Sequence, residues 1–157
     1  MSGKGAPIVG GSDASSLNVV VVAGTWHQVI TDGLIAGAER TLEAAGATWQ
    51  LVRVPGSFEL ALAAQAAFAA GADAVVALGV IIRGGTPHFD YVSAAATDGL
   101  TRVALDAGRP VGFGLLTLDD EQQGLDRAGL PGSHEDKGAE AADAAVRTAL
   151  VLAQLRA

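Results

Sequence analysis

Four almost unbroken apolar runs constrain this 157-residue chain more than any other feature. They occupy residues 17–23, 49–54, 74–82 and 110–117. A strand with one wet face alternates apolar and polar residues, whereas a continuous apolar run is expected where helices cover both faces of a parallel sheet. The segments between the runs have helical spacing instead. Trp26, Ile30, Leu34, Ala38 and Leu42 recur at four-residue steps before Gly46. Phe58, Leu62, Ala66 and Ala69 form a second stripe before Gly71, and Val92, Ala96, Leu100, Val103 and Ala107 a third before Gly108 and Pro110. Ala142, Val146, Ala149 and Ala153 define a last helix, with a short one expected near residues 120–127. Strands alternating with crossover-length helices predict right-handed βαβ units, and hence a three-layer α/β/α sandwich on a four-stranded parallel sheet. Residues 1–16, rich in glycine and serine, read as a flexible arm. Residues 17–157 read as one domain. Within the arm, residues 6–10 are a candidate short strand for a neighbouring subunit.

Ligands of doubly wound folds lie beyond the carboxyl ends of the strands. The informative segments are therefore those just after each apolar run. Composition narrows what they do. A net charge of −7 leaves no basic footprint for nucleic acid. With no cysteine there is neither a thiolate nucleophile nor a thiolate metal site. The sequence lacks the dinucleotide and phosphate-loop glycine patterns and the nucleophile elbow. His27, His88 and His134 lack ligand-like spacing, so no metal site is expected. No signal-peptide core or membrane-length apolar stretch is read, which predicts a cytoplasmic protein. Mean hydropathy is +0.36, high for a small soluble chain, which favours apolar surface buried between subunits, with high alanine content alone as the plain alternative.

The segment 83–90, Arg-Gly-Gly-Thr-Pro-His-Phe-Asp, follows the third run. Paired glycines let backbone N–H groups converge on an anion, and Thr86 adds a hydroxyl at the mouth of the next helix. Histidine is the side chain suited to moving protons near neutral pH, which makes His88 the candidate acid–base group. Asp90 either orients that imidazole or caps the helix. The plain alternative is an ordinary strand-to-helix turn. Trp26 follows the first run, either stacking on a planar heterocycle or starting the helix's apolar stripe. Glu59, three residues after Gly56, suits the first turn of a helix, where free N–H groups are also able to hold ligand oxygens. Ser133 and Asp136 have capping-box spacing, which places Lys137 in the first turn of the last helix. A cation there opposes the helix dipole. With Arg127 upstream on the same connection, Lys137 points to an anionic ligand, against the default of a solvated lysine.

Taken in order, these segments resemble the lumazine synthase family. The stretch 75–92, VVALGVIIRGGTPHFDYV, is similar to its strand followed by an R-G-x-T-x-H-[FY]-[DE] loop. PGSFEL resembles its P-G-A-x-E-[IL] turn, and EQQGLDRAG followed by EDKG resembles its E-Q-A-x-x-R-A-G…K-G ending. The similarity runs in one register from about Leu17 onward.

The resemblance implies a flavodoxin-like subunit in homopentamers, sometimes assembled into icosahedral shells. It also implies riboflavin biosynthesis by a transferase. Such an enzyme condenses 5-amino-6-(D-ribitylamino)uracil with 3,4-dihydroxy-2-butanone 4-phosphate to 6,7-dimethyl-8-ribityllumazine, releasing phosphate and water. No cofactor is implied, because the substrate's own amine forms the imine. By position, Trp26 would stack on the pyrimidine, and Ser57 and Glu59 would hold the ribityl chain and ring edge. Val80, Ile81 and Ile82 would line the ring pocket, while Gly85, Thr86 and Arg127 would bind phosphate. His88 would shuttle protons. Phe113, Arg127 and Lys137 would come from the adjacent subunit. Ser57, Ala61, Leu118 and Gly124 depart from the family's usual alanine, proline, threonine and alanine. The connection 130–135 is longer than the turn of shell-forming relatives, which favours a free pentamer. Two other functions fit the scaffold, an archaeal-type riboflavin synthase and a non-catalytic flavin- or lumazine-binding shell protein. The first handles no phosphate, which Arg127 with Gly85 and Thr86 speaks against; the second tolerates Trp26 and the glycines but has little use for His88, Arg127 and Lys137 together.

Overall fold

The computed structural model describes Gly5, Ile8 and residues 11–157. Its strands are β1 (Asn18–Gly24), β2 (Thr48–Val54), β3 (Ala74–Ile82) and β4 (Val111–Leu118), all parallel in the order β2-β1-β3-β4. The helices are α1 (Gln28–Ala44), α2 (Leu60–Ala69), α3 (His88–Ala107), α4 (Glu121–Leu125) and α5 (Lys137–Arg156). Every apolar run has become a strand, displaced by at most one residue at either end. The architecture is the expected flavodoxin-like sandwich. The candidate neighbour strand at residues 6–10 falls, apart from Ile8, outside the described residues. No helix among the described residues is long and apolar enough to cross a membrane.

Two cores hold the layers together. Val19, Val21, Val76 and Leu78 turn towards Ile30, Leu34 and Leu42 of α1 and Ala142 and Val146 of α5. On the opposite face Val20, Val22, Val75 and Ala77 meet Leu60 and Phe68 of α2 and Leu100 and Val103 of α3. Packing against the α1 face begins within the stretch read as an arm. Ala14 is fully buried and its N–H donates to the Ala45 carbonyl at 2.7 Å.

Two readings change. Not every strand is covered on both faces: most β2 side chains are exposed, Leu51 and Val52 among them. The order β2-β1-β3-β4 puts β2 at an edge, while the helices sit over β1 and β3. The second helix also presents a different face. Leu60, Ala64 and Phe68 are buried, whereas Phe58 and Leu62 are 63% and 71% exposed. Nine of its ten residues are apolar, so periodicity had no polar face from which to choose the buried one.

The start of α5 is also redefined. Asp136, not Ser133, is its N-cap, accepting from the Ala139 N–H at 2.9 Å and from Arg40 at 2.8 Å. Ser133 instead closes its own loop. Its hydroxyl donates to the Leu125 carbonyl and accepts from the Leu130 N–H. Lys137 therefore stands in the first turn as expected, at the first helical position. Asp136 fits only because Gly37 and Gly129 carry no side chain there, and Gly138 lets α5 approach the Leu34 carbonyl of α1. A Cβ at Gly138 would collide with that backbone oxygen, and backbone cannot swing aside. Gly138→Ala should therefore cost about 2 kcal/mol or more. Urea unfolding checks this, and an unchanged midpoint would show that the helices part easily.

Candidate active site

The chain leaves β1 towards one face and β3 towards the other, which opens a crevice between their carboxyl ends. A cavity of about 800 Å³ lies there. Trp26 and His27 enter it from the turn after β1, and Gly56, Ser57, Phe58 and Glu59 from the turn after β2. Val80, Ile81 and Ile82 form its β3 wall, and Gly84, Thr86, His88 and Phe89 close the side below α3.

Strand register explains the wall. Pairing of β1 with β3 stops at Ala23 with Leu78, yet β3 runs on to Ile82 and keeps β4 as partner through Leu118. From Gly79 onward β3 has lost its β1 neighbour. One backbone edge of residues 79–82 is thus offered to the crevice, and the polar edge of a flat ring suits such a row of main-chain donors and acceptors. Val80 is buried, and Ile81 and Ile82 are half-buried.

Trp26 is 67% exposed, so it serves the cavity and not the apolar stripe of α1. A Cβ placed on Gly56 would sit 3.5 Å from the indole Cδ1 and Nε1, so the indole lies against the Gly56 backbone. Ser57 is buried, and a Cβ at Gly79 would come within 2.7 Å of its hydroxyl. The Ser57–Glu59 segment forms a single 3-10 turn, with Glu59 in its first turn and its carboxylate near Gly56.

In the loop after β3, Gly84 and Gly85 have no positive φ, and an added Cβ would meet nothing within 4 Å. Neither backbone conformation nor packing within the chain demands glycine there. The Thr86 hydroxyl accepts a long hydrogen bond from the His88 N–H, 3.4 Å. Asp90 does not hold the imidazole, since its carboxylate faces Arg83 at 3.6 Å. Arg83 also bonds Asp119 at 3.1 Å and lies 4.2 Å over the Phe89 ring. Exposed ion pairs are worth under about 1 kcal/mol each and a cation–π contact about the same, so these contacts bias the loop without locking it.

Gly85, Phe113, Arg127 and Lys137 do not line the cavity. Phe113 is 49% exposed on β4. The Arg127 guanidinium donates to the Gln123 carbonyl at 2.9 Å, and its own carbonyl accepts from the Lys137 N–H at 2.9 Å. The Lys137 ammonium is held by Glu135 at 2.8 Å and Glu140 at 2.7 Å. Those carboxylates supply a local reason for a cation in the first turn, which sequence reading had left to an anionic ligand. Reading from sequence also missed Phe58, assigned to the core, and His27, Phe89 and Tyr91, which line the cavity. For His27 the available signal was its place just past β1, whereas Phe89 and Tyr91 lie in the first turn of α3.

A parallel α/β sheet with an open cleft at its switch point, walled by a free strand edge and rimmed by an indole, a carboxylate and an imidazole, defines a small-molecule-binding subunit. Residues 16–153 match the family model described as 6,7-dimethyl-8-ribityllumazine synthase. The chain is 74% identical over 157 residues to the protein of that name from Leifsonia xyli subsp. xyli, covering 99% of both. It is 69% identical over 158 residues to the one from Clavibacter michiganensis subsp. michiganensis, again 99% of both. With the one from Streptomyces avermitilis it shares 56% over 153 residues, 97% of this chain and 95% of the relative. The chain belongs to the 6,7-dimethyl-8-ribityllumazine synthase family.

Burial is the largest single influence on Lys137 and works against its charge. The hydrogen bonds and charges of Glu135 and Glu140 outweigh it, so its pKa lies above the ordinary 10.5. A raised folded-state pKa gives stabilisation that is complete below pH 10.5 and is lost as pH rises through the folded value. The gap in unfolding temperature between wild type and Lys137→Met should hold steady up to about pH 9.5 and shrink above 10.5. A gap that widens with alkali would contradict the ion-paired assignment.

Proposed function

We propose that this chain is a cytoplasmic transferase of riboflavin biosynthesis. It condenses 5-amino-6-(D-ribitylamino)uracil with 3,4-dihydroxy-2-butanone 4-phosphate to give 6,7-dimethyl-8-ribityllumazine, phosphate and water. The observation that carries this reading is the cleft, in which Trp26, Glu59, the free edge of β3, Thr86 and His88 converge. The indole offers a face to the pyrimidine, and the β3 backbone and Glu59 offer partners to its polar edge. Ser57 stands beside them for the ribityl chain. In the reaction the uracil's amine attacks the butanone carbonyl and water leaves. Phosphate is then expelled, and the second nitrogen closes the ring on the remaining carbonyl with loss of a second water. His88 moves the protons that these steps require.

Phosphate falls to the loop with Gly85 and Thr86, where the open space over the glycines suits close approach of an anion to backbone N–H groups. Its countercharge comes from Arg127 of an adjacent subunit. Phe113 and Lys137 arrive on the same neighbour, Phe113 over the ring and Lys137 beside the reacting groups. Because Glu135 and Glu140 already neutralise Lys137, Arg127 carries most of the charge matching. The assembly we infer is a homopentamer. In support, Phe113 and the β2 residues Leu51 and Val52 are exposed at opposite edges of the sheet. Catalysis then rests on holding two reactants together with their charge matched.

Mixing the two precursors with the purified protein should release phosphate as lumazine forms. Turnover of lumazine without phosphate would instead identify a riboflavin synthase, and binding without turnover a carrier. His88→Ala should lower kcat by about a hundredfold with the assembly intact, the usual scale for losing an acid–base group. An unchanged rate would remove His88 from the mechanism.

A further inference from the structure

Among the described residues His27 is the only non-glycine with positive φ, at φ 54° and ψ 61°. A side chain pays for this left-handed conformation, and such residues persist only where their surroundings over-determine them. Here the surroundings are explicit. The Thr25 hydroxyl donates to the Pro55 carbonyl at 2.7 Å, which ties the turn to the end of β2. Fully buried Thr31 grips the other side. Its hydroxyl donates to the Trp26 carbonyl at 2.7 Å, and its N–H donates to the His27 carbonyl at 3.0 Å. Trp26 is thus held by its carbonyl, with His27 making the reversal from strand to helix immediately after it. The indole is left outside the core, against Gly56, with the His27 ring tilted beside it at 6.4 Å.

We propose that His27 is a positioning residue for Trp26, and that its left-handed backbone, not its imidazole, performs this role. An extended or right-handed residue at position 27 would redirect the Trp26 peptide relative to the Thr31 clamp and swing the indole off Gly56. The binding consequence rests on the proposed reaction, in which Trp26 carries the pyrimidine. The positional claim does not.

The test is a series at position 27 ordered by tolerance of the left-handed region, with glycine and asparagine tolerant, alanine intermediate and valine intolerant. His27→Gly and His27→Asn should keep the KM for the ribitylaminouracil close to wild type, whereas His27→Val should raise it about tenfold through lost ring stacking. The KM for the butanone phosphate should stay within about twofold in all of them, a split that general loss of structure would not give. Thermal midpoints should follow the same order, with His27→Gly at or above wild type. If His27→Val does not fold, His27→Ala decides, with a KM for the ribitylaminouracil alone raised above that of the asparagine variant and by less than about tenfold. Trp26 emission, isolated by Trp49→Phe, needs no substrate. It should be unchanged in the glycine and asparagine variants and shifted to the red in the valine or alanine variant. Equal losses in the glycine, asparagine and valine variants would assign the role to the imidazole and overturn the proposal. So would a valine variant with unaltered emission and KM. A wild type that makes no lumazine would remove the proposed reaction while leaving the emission series to decide the positional claim.

Discussion

The site depends on one constraint: four strands run the same way, and the two central ones send their chains to opposite faces. Parallel pairing forces every return segment to cross over as a helix, so all the outgoing turns gather at one end of the sheet. Because α1 leaves β1 for one face and α3 leaves β3 for the other, no segment fills the gap between them. The mismatch in length between β1 and β3 deepens that gap and strips the last residues of β3 of one hydrogen-bonding neighbour. The cleft is a product of topology and register before any side chain is considered.

Side chains then convert the gap into a site with distinct ends. Trp26, Phe58 and the β3 residues make a flat apolar slot, while Thr86, His88 and the open glycine loop make a polar mouth. Arg127 and Lys137 belong to a separate structure, the knot between α4 and α5. There Asp136 caps α5, binds Arg40 and occupies the space left by Gly37 and Gly129. That knot fixes where the two cations stand, and it does so away from the cleft of their own chain. In the ring we propose, the aromatic and cationic groups on one side of each subunit complete the cleft of the next.

Much of this was legible in the sequence, for physical reasons. The buried strands had to be continuous apolar runs, and β1, β3 and β4 were bounded to within a residue. The turns after them had to border the crevice, and Trp26, Glu59 and His88, singled out by that logic, line it. Three things were not legible. The buried face of α2 was hidden because nearly every residue in it is apolar. The openness of β2 depends on strand order, which periodicity does not encode. The left-handed backbone at His27 leaves no mark in the sequence, because histidine in place of glycine or asparagine announces nothing about φ. The cap of α5 was misplaced by three residues because Ser133 and Asp136 are both good caps, and only the packing of Gly37 and Gly129 decides between them.

The central claim is that each working site takes His88 from one subunit and Arg127 from the next. It is tested most directly by co-expressing His88→Ala and Arg127→Ala chains under different tags and purifying assemblies that carry both. Each variant alone should be nearly inactive. If the site is shared around a ring, random mixing places an intact His88 beside an intact neighbouring Arg127 at about a quarter of the interfaces, and a matching share of wild-type activity should return. Mixed assemblies no more active than their parents would contradict the account, placing both residues in the site of a single chain.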